Sequence, residues 1–459
     1  MTTVFAKTAL LPDGWAENVL IAVDGAGFIT DVKPESAPPP RGEWLAGPVL
    51  PGMPNVHSHA FQRAMAGLAE RVTGDKDSFW TWREVMYRFA QNITPEDLQT
   101  IALQLYIEML KSGFTNVAEF HYLHHQPDGT PYEDRALMSR VLATAAGEAG
   151  IGMTLLPVLY AHSGFGGAPP VEGQKRFLNT AEEIAEIIAG LEKETRSNPQ
   201  ITTGLAHHSL RAVTPDMLRE ATEYLHDIDA AAPVHIHIAE QQAEVDACLA
   251  WSGKRPVAFL FENAEINENW CLVHATHMDE SETAALAQSG AVAGLCPTTE
   301  ANLGDGLFPL SAFLEAGGRI AVGSDSHISV SAAEELRWLE YGQRLFYQAR
   351  AVTRIADSPS SGRALYRRCL EGGVQVSGRK TGKIAEGFRA DLVVLDGEAP
   401  DIAEKHGDDI LDAYIFGGHE NTVRDVMCGG KWAVREKRHA QEEDSRRAYR
   451  AVLRKLCAL

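Results

Sequence analysis

The chain has 459 residues, 45% hydrophobic and 23% charged, the make-up of a globular protein large enough for one barrel-sized domain and a smaller one. Its 42 basic and 62 acidic residues leave a formal charge of −20, which argues against a nucleic-acid partner, because a phosphate backbone needs a basic face. An anionic small-molecule substrate would need local positive charge placed against this background.

The opening residues lack the basic flank and apolar core of a signal peptide. No apolar run reaches the roughly 18 residues of a membrane span. The six cysteines (Cys248, Cys271, Cys296, Cys369, Cys428, Cys457) are scattered, with no Cys-x-x-Cys pair. The expectation is a cytoplasmic protein with reduced, mostly buried thiols, neither a thiolate metal centre nor a membrane protein.

Residues 1–50 read as short strands and turns, with a strand from Val19 and a Pro-rich break at Pro38–Arg41. This segment is too short to hold a core alone and needs a partner. From Val49 the rhythm changes. Eight apolar runs alternate with helical patterns: Val49–His57, Asn116–Tyr122, Gly152–Tyr160, Thr202–His208, Pro233–Ala239, Asn269–His274, Ala291–Pro297 and Arg319–Asp325. Thr94-Pro95 and Thr214-Pro215 are helix starts, and Gly113 and Gly290 are helix stops. Alternating strands and helices imply a parallel sheet, and eight units imply closure into a (β/α)8 barrel of the TIM type. An open doubly wound sheet would want a Gly-rich phosphate loop after an early strand, and none is present. Beyond about residue 375 the strand-and-turn style returns. Gly382–Asp396 reads as strand-turn-strand, Val423–Val434 as a hairpin through Gly429-Gly430, and Ser445–Leu456 as a short amphipathic helix. The expected organisation is the first part of a small β-sandwich at 1–50, the barrel at 51–373, the second part of the sandwich at 374–440, and a terminal helix at 441–459.

Four of the barrel runs end in polar clusters. His57-Ser-His59 closes the first; residues two apart share a strand face, so both imidazoles can address one ion. The fifth ends His235-Ile-His-Ile-Ala-Glu240, the sixth Leu272-Val-His-Ala-Thr-His277, and the eighth Ile320-Ala-Val-Gly-Ser-Asp-Ser-His327. All four lie at the carboxyl ends of strands, where barrel enzymes keep their sites. Buried His, Glu and Asp are costly there unless paired or metal-bound. His235, one step deeper than His237, is expected to be a packing histidine, and His277 a loop histidine. His57, His59, His237 and Asp325 suit a borderline divalent ion such as zinc. Glu240 and His274 remain as proton handler and oxyanion partner.

With these motifs in place the chain resembles the amidohydrolase superfamily over nearly its whole length. The resemblance is carried by Pro51-Gly-Met-Pro-Asn-Val-His-Ser-His, His237-Ile-Ala-Glu240, His274, Gly323-Ser-Asp325 and Gly387-Phe-Arg-Ala-Asp-Leu-Val-Val-Leu. It implies metal binding by the first His pair, the fifth-strand His237 and the eighth-strand Asp325. Two-metal members use a carboxylated lysine on strand four. The run Thr202-Thr-Gly-Leu-Ala-His-His-Ser-Leu has no lysine, which implies one zinc per subunit and the deaminase branch. Within that branch the chain is most similar to the formimidoylglutamate deiminases of histidine breakdown, through Asn55–Arg63, Glu119–His124, His207–Val213 and Gly323–Arg337. That implies N-formimino-L-glutamate as substrate, and a homodimer.

Such a substrate carries two carboxylates. Arg211, beside His208 after strand four, can grip one with two parallel hydrogen bonds. Gln62 and Tyr122 offer further donors after strands one and two, and Arg83 is placed to reach the mouth or a neighbouring subunit. The alternative is a nucleobase or nucleoside deaminase, for which Phe61, Trp80 and Trp82 would supply stacking surfaces. A catalytically dead assembly protein fits poorly, because every ligand and proton-handling residue is present.

Overall fold

The computed structural model describes residues 2–39, 42–70, 79–353, 359–418 and 420–458. The apolar runs become strands for the reason their composition suggests. Every residue of Met53–Ser58, Phe114–His121, Gly152–Leu159, Val234–Ile238, Trp270–His274 and Val292–Leu295 is buried, as expected of strands covered on both faces. With Leu205–Ser209 and Arg319–Val322 they make eight parallel strands that follow one another in chain order around a sheet. The ring is closed between strands eight and one by the parallel bridge Ser58↔Asp325. A short extra strand, Ile201–Thr203, pairs with strand three ahead of strand four.

The helix signals hold. Thr94 caps Pro95–Lys111 in a reciprocal box with Asp97, and Thr214 caps Pro215–Ile228. Gly290 ends Glu280–Ser289 in the left-handed region at φ 82°. No helix among the described residues is long and apolar enough to cross a membrane.

The two chain ends meet in a second sheet of nine strands. Thr2–Leu11, Gly14–Val23, Ile29–Lys33, Glu43–Trp44 and Val49–Pro51 come from the start, and Leu392–Leu395, Val423–Cys428, Lys431–Arg435 and Arg438–His439 from the end. Val49–Pro51 is the junction, parallel to the first strand and antiparallel to Leu392–Leu395. The sheet has its own apolar cluster, including Val4, Val19, Ile21, Leu392 and Met427. The hairpin between Val423–Cys428 and Lys431–Arg435 turns through Gly429 and Gly430 at φ 56° and 76°, a conformation that favours glycine at both positions.

Three sequence expectations need correction. The run Val49–His57 is two strands: Val49–Pro51 belongs to the outer sheet, and the barrel strand begins at Met53. The first half of the expected strand-turn-strand at Gly382 is irregular chain, and only Leu392–Leu395 forms a strand there. Its backbone instead clasps the third strand, with Ile29 N–H donating to Phe388 O and Gly387 N–H to Ile29 O. The terminal helix is longer than expected, Glu442–Cys457. It packs on Pro95–Lys111, where Ser445 Oγ donates to Gln104 at 3.0 Å, and Tyr449 donates to Arg63 O.

Candidate active site

The polar strand ends converge at the carboxyl face of the barrel. His57 Nε2 lies 3.0 Å from His237 Nε2, and His59 Nε2 lies 3.3 Å from it. Asp325 Oδ1 is 3.5 Å from His57 Nε2 and 3.4 Å from His59 Nε2. Ligand atoms about 2.1 Å from a tetrahedral ion sit roughly 3.4 Å apart, so this spacing is that of a zinc-type donor set.

The tautomers support the same reading. His59 Nδ1 donates to Phe120 O and His237 Nδ1 to His208 O, each at 2.7 Å. A neutral ring that donates from Nδ1 carries a bare lone pair on Nε2. Burial is the largest cause holding His57, His59 and His237 below the usual histidine range, so all three are neutral. The bare Nε2 lone pairs of His59 and His237 thus face each other at 3.3 Å with no proton between them. That arrangement repels itself without a cation and fits a divalent metal. The carbonyl contacts are the outer partners that typically orient metal-bound imidazoles.

The seam between strands one and eight builds half of this centre. Asp325 N–H donates to His57 O, and His59 N–H donates to Asp325 O. Gly323 lets the strands approach: a Cβ there would lie 2.7 Å from His57 Cβ and 2.8 Å from His57 N. Ala239, His274, Ala275, Asp325 and His327 all have positive φ, between 45° and 68°. Such backbone costs of order 1–3 kcal/mol per residue and tends to gather where a site dictates geometry.

His274 Nε2 stands 3.7 Å from Asp325 Oδ2 and 3.8 Å from Glu240 Oε1, and its Nδ1 is 3.2 Å from Glu300 Oε1. Burial alone would lower its pKa, but Glu240, Glu300 and Asp325 outweigh burial and raise it to about 10. Burial, helped by Asp325 and opposed by His274 and Arg211, pushes Glu240 up to about 7. Glu240 can therefore hold or release a proton near neutral pH.

A cavity opens over this centre. It brings together every residue expected to contact substrate: Gln62, Arg83, Tyr122, His208 and Arg211. Gln62 donates to the Tyr122 hydroxyl at 2.8 Å. Arg83, on the helix Phe79–Asn92, lies over the Tyr87 ring and reaches Tyr160 Oη at 3.4 Å. Arg211 has a buried Nε with no hydrogen-bond partner. Glu244 and Glu240 raise its pKa against the opposing effect of burial, so it is a fixed cation. Local positive charge is thus present despite the overall −20.

The amidohydrolase family model matches residues 49–433. The chain belongs to the amidohydrolase family. Residues 1–44 match a second model, described as the N-terminal domain of the formimidoylglutamate deiminase HutF. The chain is 54% identical over 456 residues to a formimidoylglutamate deiminase of Pseudomonas aeruginosa, covering 99% of this chain and 100% of that one. It also resembles the crystal structure of an amidohydrolase from Brucella melitensis, with a TM-score of 0.95 and 48% identity over the whole of both chains. An adenosine deaminase from Xanthomonas campestris, solved with bound zinc, shares the fold at a TM-score of 0.82 and 21% identity.

Several features of this amidohydrolase centre escaped the sequence reading. Glu300, on the short helix Pro297–Leu303, braces His274 and accepts from Cys296 N–H at 2.8 Å. The signal was Cys296-Pro-Thr-Thr-Glu300 at the carboxyl end of strand seven, a polar cluster like the four that were noticed. Ser58, between His57 and His59, donates to Glu119 at 2.6 Å and lies 3.2 Å from His327 Nε2. His235 bonds Val376 O and His277 bonds Asp305 O, so both are structural as expected. Of the aromatics, Trp82 lines the cavity, Phe61 packs on Tyr122, and the Trp80 side chain lies outside the described residues.

Proposed function

We propose that this chain hydrolyses N-formimino-L-glutamate to N-formyl-L-glutamate and ammonia. The carrying observation is the 54% identity to a formimidoylglutamate deiminase over the full length of both chains. The N-terminal match and the cationic cavity beside the His/Asp centre support it.

In this reading one zinc ion is held by His57, His59, His237 and Asp325. Bound there, it lowers the pKa of a water toward 7 and polarises the carbon under attack. Asp325 takes up a proton from the attacking water through its Oδ2. Glu240 passes a proton to the terminal imino nitrogen, which makes the formimino carbon a better electrophile. A new C–O bond forms at that carbon, and His274, held cationic between carboxylates, steadies the developing negative charge. Asp325 then passes its proton to the departing amino nitrogen while Glu240 takes the proton of the new hydroxyl; the C–N bond breaks, the formyl C=O forms, and ammonia leaves with Glu240 protonated and Asp325 ionised as at the start. Arg211, with Arg83, Gln62, Tyr122 and His208, holds the carboxylate end of the substrate. The homodimer belongs to this reading through the resemblance alone, and the cytoplasmic setting through the free, mostly buried cysteines.

The test is ammonia release by zinc-loaded protein on N-formimino-L-glutamate beside guanine, cytosine and an adenosine derivative. Turnover of the first alone is the expected result. Turnover of a base instead would keep the proton-handling scheme and discard the carboxylate grip.

A further inference from the structure

Tyr160 follows directly on strand three, is 3% exposed and lines the cavity. Its ring packs 4.4 Å from that of His208, which in turn lies 5.1 Å from His237. Tyr160 therefore stands one ring farther from the His/Asp centre than His208, against Arg83. Its backbone is pinned by Asn179, which accepts from Tyr160 N–H at 3.2 Å and donates to Tyr160 O at 2.8 Å.

The hydroxyl is more constrained than the ring. Gln174, fully buried, donates to Tyr160 Oη from Nε2 at 2.7 Å. The orientation of that amide is settled by its other end: Gln174 Oε1 accepts from Val171 N–H at 2.8 Å, so the NH2 group must face the phenol. Arg83 Nη2 approaches the same oxygen at 3.4 Å, and a guanidinium has only donors to offer. A phenol oxygen has two acceptor positions and one proton to give. With both acceptor positions facing donors, the proton must point elsewhere. Among the described residues nothing accepts it. The nearby Tyr87 hydroxyl, lining the same cavity, makes no hydrogen bond to it. The hydroxyl hydrogen is thereby left to the pocket, which also holds Arg211 with its buried Nε.

We propose that Tyr160 is a specificity-determining residue, donating its phenol hydrogen to the substrate carboxylate that Arg211 and Arg83 neutralise. The proposal rests on the reading of the substrate as N-formimino-L-glutamate. A donor fixed in one direction does more than add affinity. It accepts an anion and rejects an ammonium or amide N–H group at the same place, because those would leave two donors facing each other.

Tyr160→Phe removes only the hydroxyl. A hydrogen bond to a charged group is worth about 10-fold or more, so KM for N-formimino-L-glutamate should rise by about that factor with kcat little changed. Binding of glutarate, measured by calorimetry without turnover, should weaken by a similar factor. N-formimino-γ-aminobutyrate and N-formimino-L-norvaline each lack one of the two carboxylates. The variant should match wild type on the analogue missing the gripped carboxylate and keep its defect on the other. Unchanged KM and unchanged glutarate binding would overturn the proposal. So would an equal defect on both analogues, which would mark a general disturbance of the pocket. Failure of the wild-type protein to turn over N-formimino-L-glutamate would sink the activity instead, and the glutarate comparison would still decide Tyr160.

Discussion

Gly323 lies so close to His57 that a single added carbon on its Cα would fall 2.7 Å from His57 Cβ. Strand eight thereby rests on strand one at the level where each supplies metal-type ligands. Barrel closure and the assembly of the donor set are therefore one event. Gly323→Ala should force the two strands apart. Overpacking of this kind costs about 1–3 kcal/mol, so the melting temperature should drop and zinc content fall with it. A variant with wild-type melting and full zinc would show that the seam yields without moving its ligands.

Chelation should abolish activity and lower the melting temperature, because the Nε2 lone pairs of His59 and His237 would again face each other unshielded. Adding zinc back should restore both. Activity that survives exhaustive chelation, with metal analysis reading zero, would contradict the role given to this donor set.

Glu240→Gln leaves the donor set intact and removes the group proposed to carry a proton to the imino nitrogen. General acid–base catalysis is worth about 10²–10⁴-fold, so turnover should fall by at least about 10²-fold with zinc retained. A zinc-loaded variant of near-normal turnover would move the proton transfer to another residue.

Arg211→Ala takes away a half-buried cation whose buried Nε has no hydrogen-bond partner. KM for N-formimino-L-glutamate should rise steeply, since a charge-assisted pair is lost in ground state and transition state alike. If steady-state kinetics show neither KM nor kcat altered, the carboxylates are held elsewhere.

Glu300→Gln keeps the shape of the brace on His274 but removes its charge. Glu300 is among the groups that hold His274 as a cation, so kcat should drop by roughly 10-fold or more. The check is kcat measured on variant protein of full zinc content. Unaltered kcat there would mean that Glu240 and Asp325 suffice to hold the charge.

Much of this site was legible because its residues obey short-range rules. The spacing of His57 and His59 places two rings on one strand face whatever the rest of the chain does. The apolar runs around His237, His274 and Asp325 made those polar groups conspicuous. Glu300 was less visible: its helix begins at a Pro after strand seven, and only packing shows that its carboxylate faces His274. Tyr160 was invisible for the same reason, since its role depends on Gln174, fourteen positions away, and on Arg83, seventy-seven away. The split of Val49–His57 between two sheets also escaped notice, because a buried apolar run reads alike in either.

The sequence by itself determined the strand-and-helix rhythm, the helix caps and the polar clusters at the strand ends, because these depend on neighbours one to four positions apart. Only the tertiary structure decided how strand eight meets strand one, which nitrogen of each imidazole faces the centre, and where the phenol of Tyr160 must send its proton. Those are set by hydrogen bonds between segments far apart in the chain, and no local pattern encodes the direction of a donor whose partner arrives from another strand.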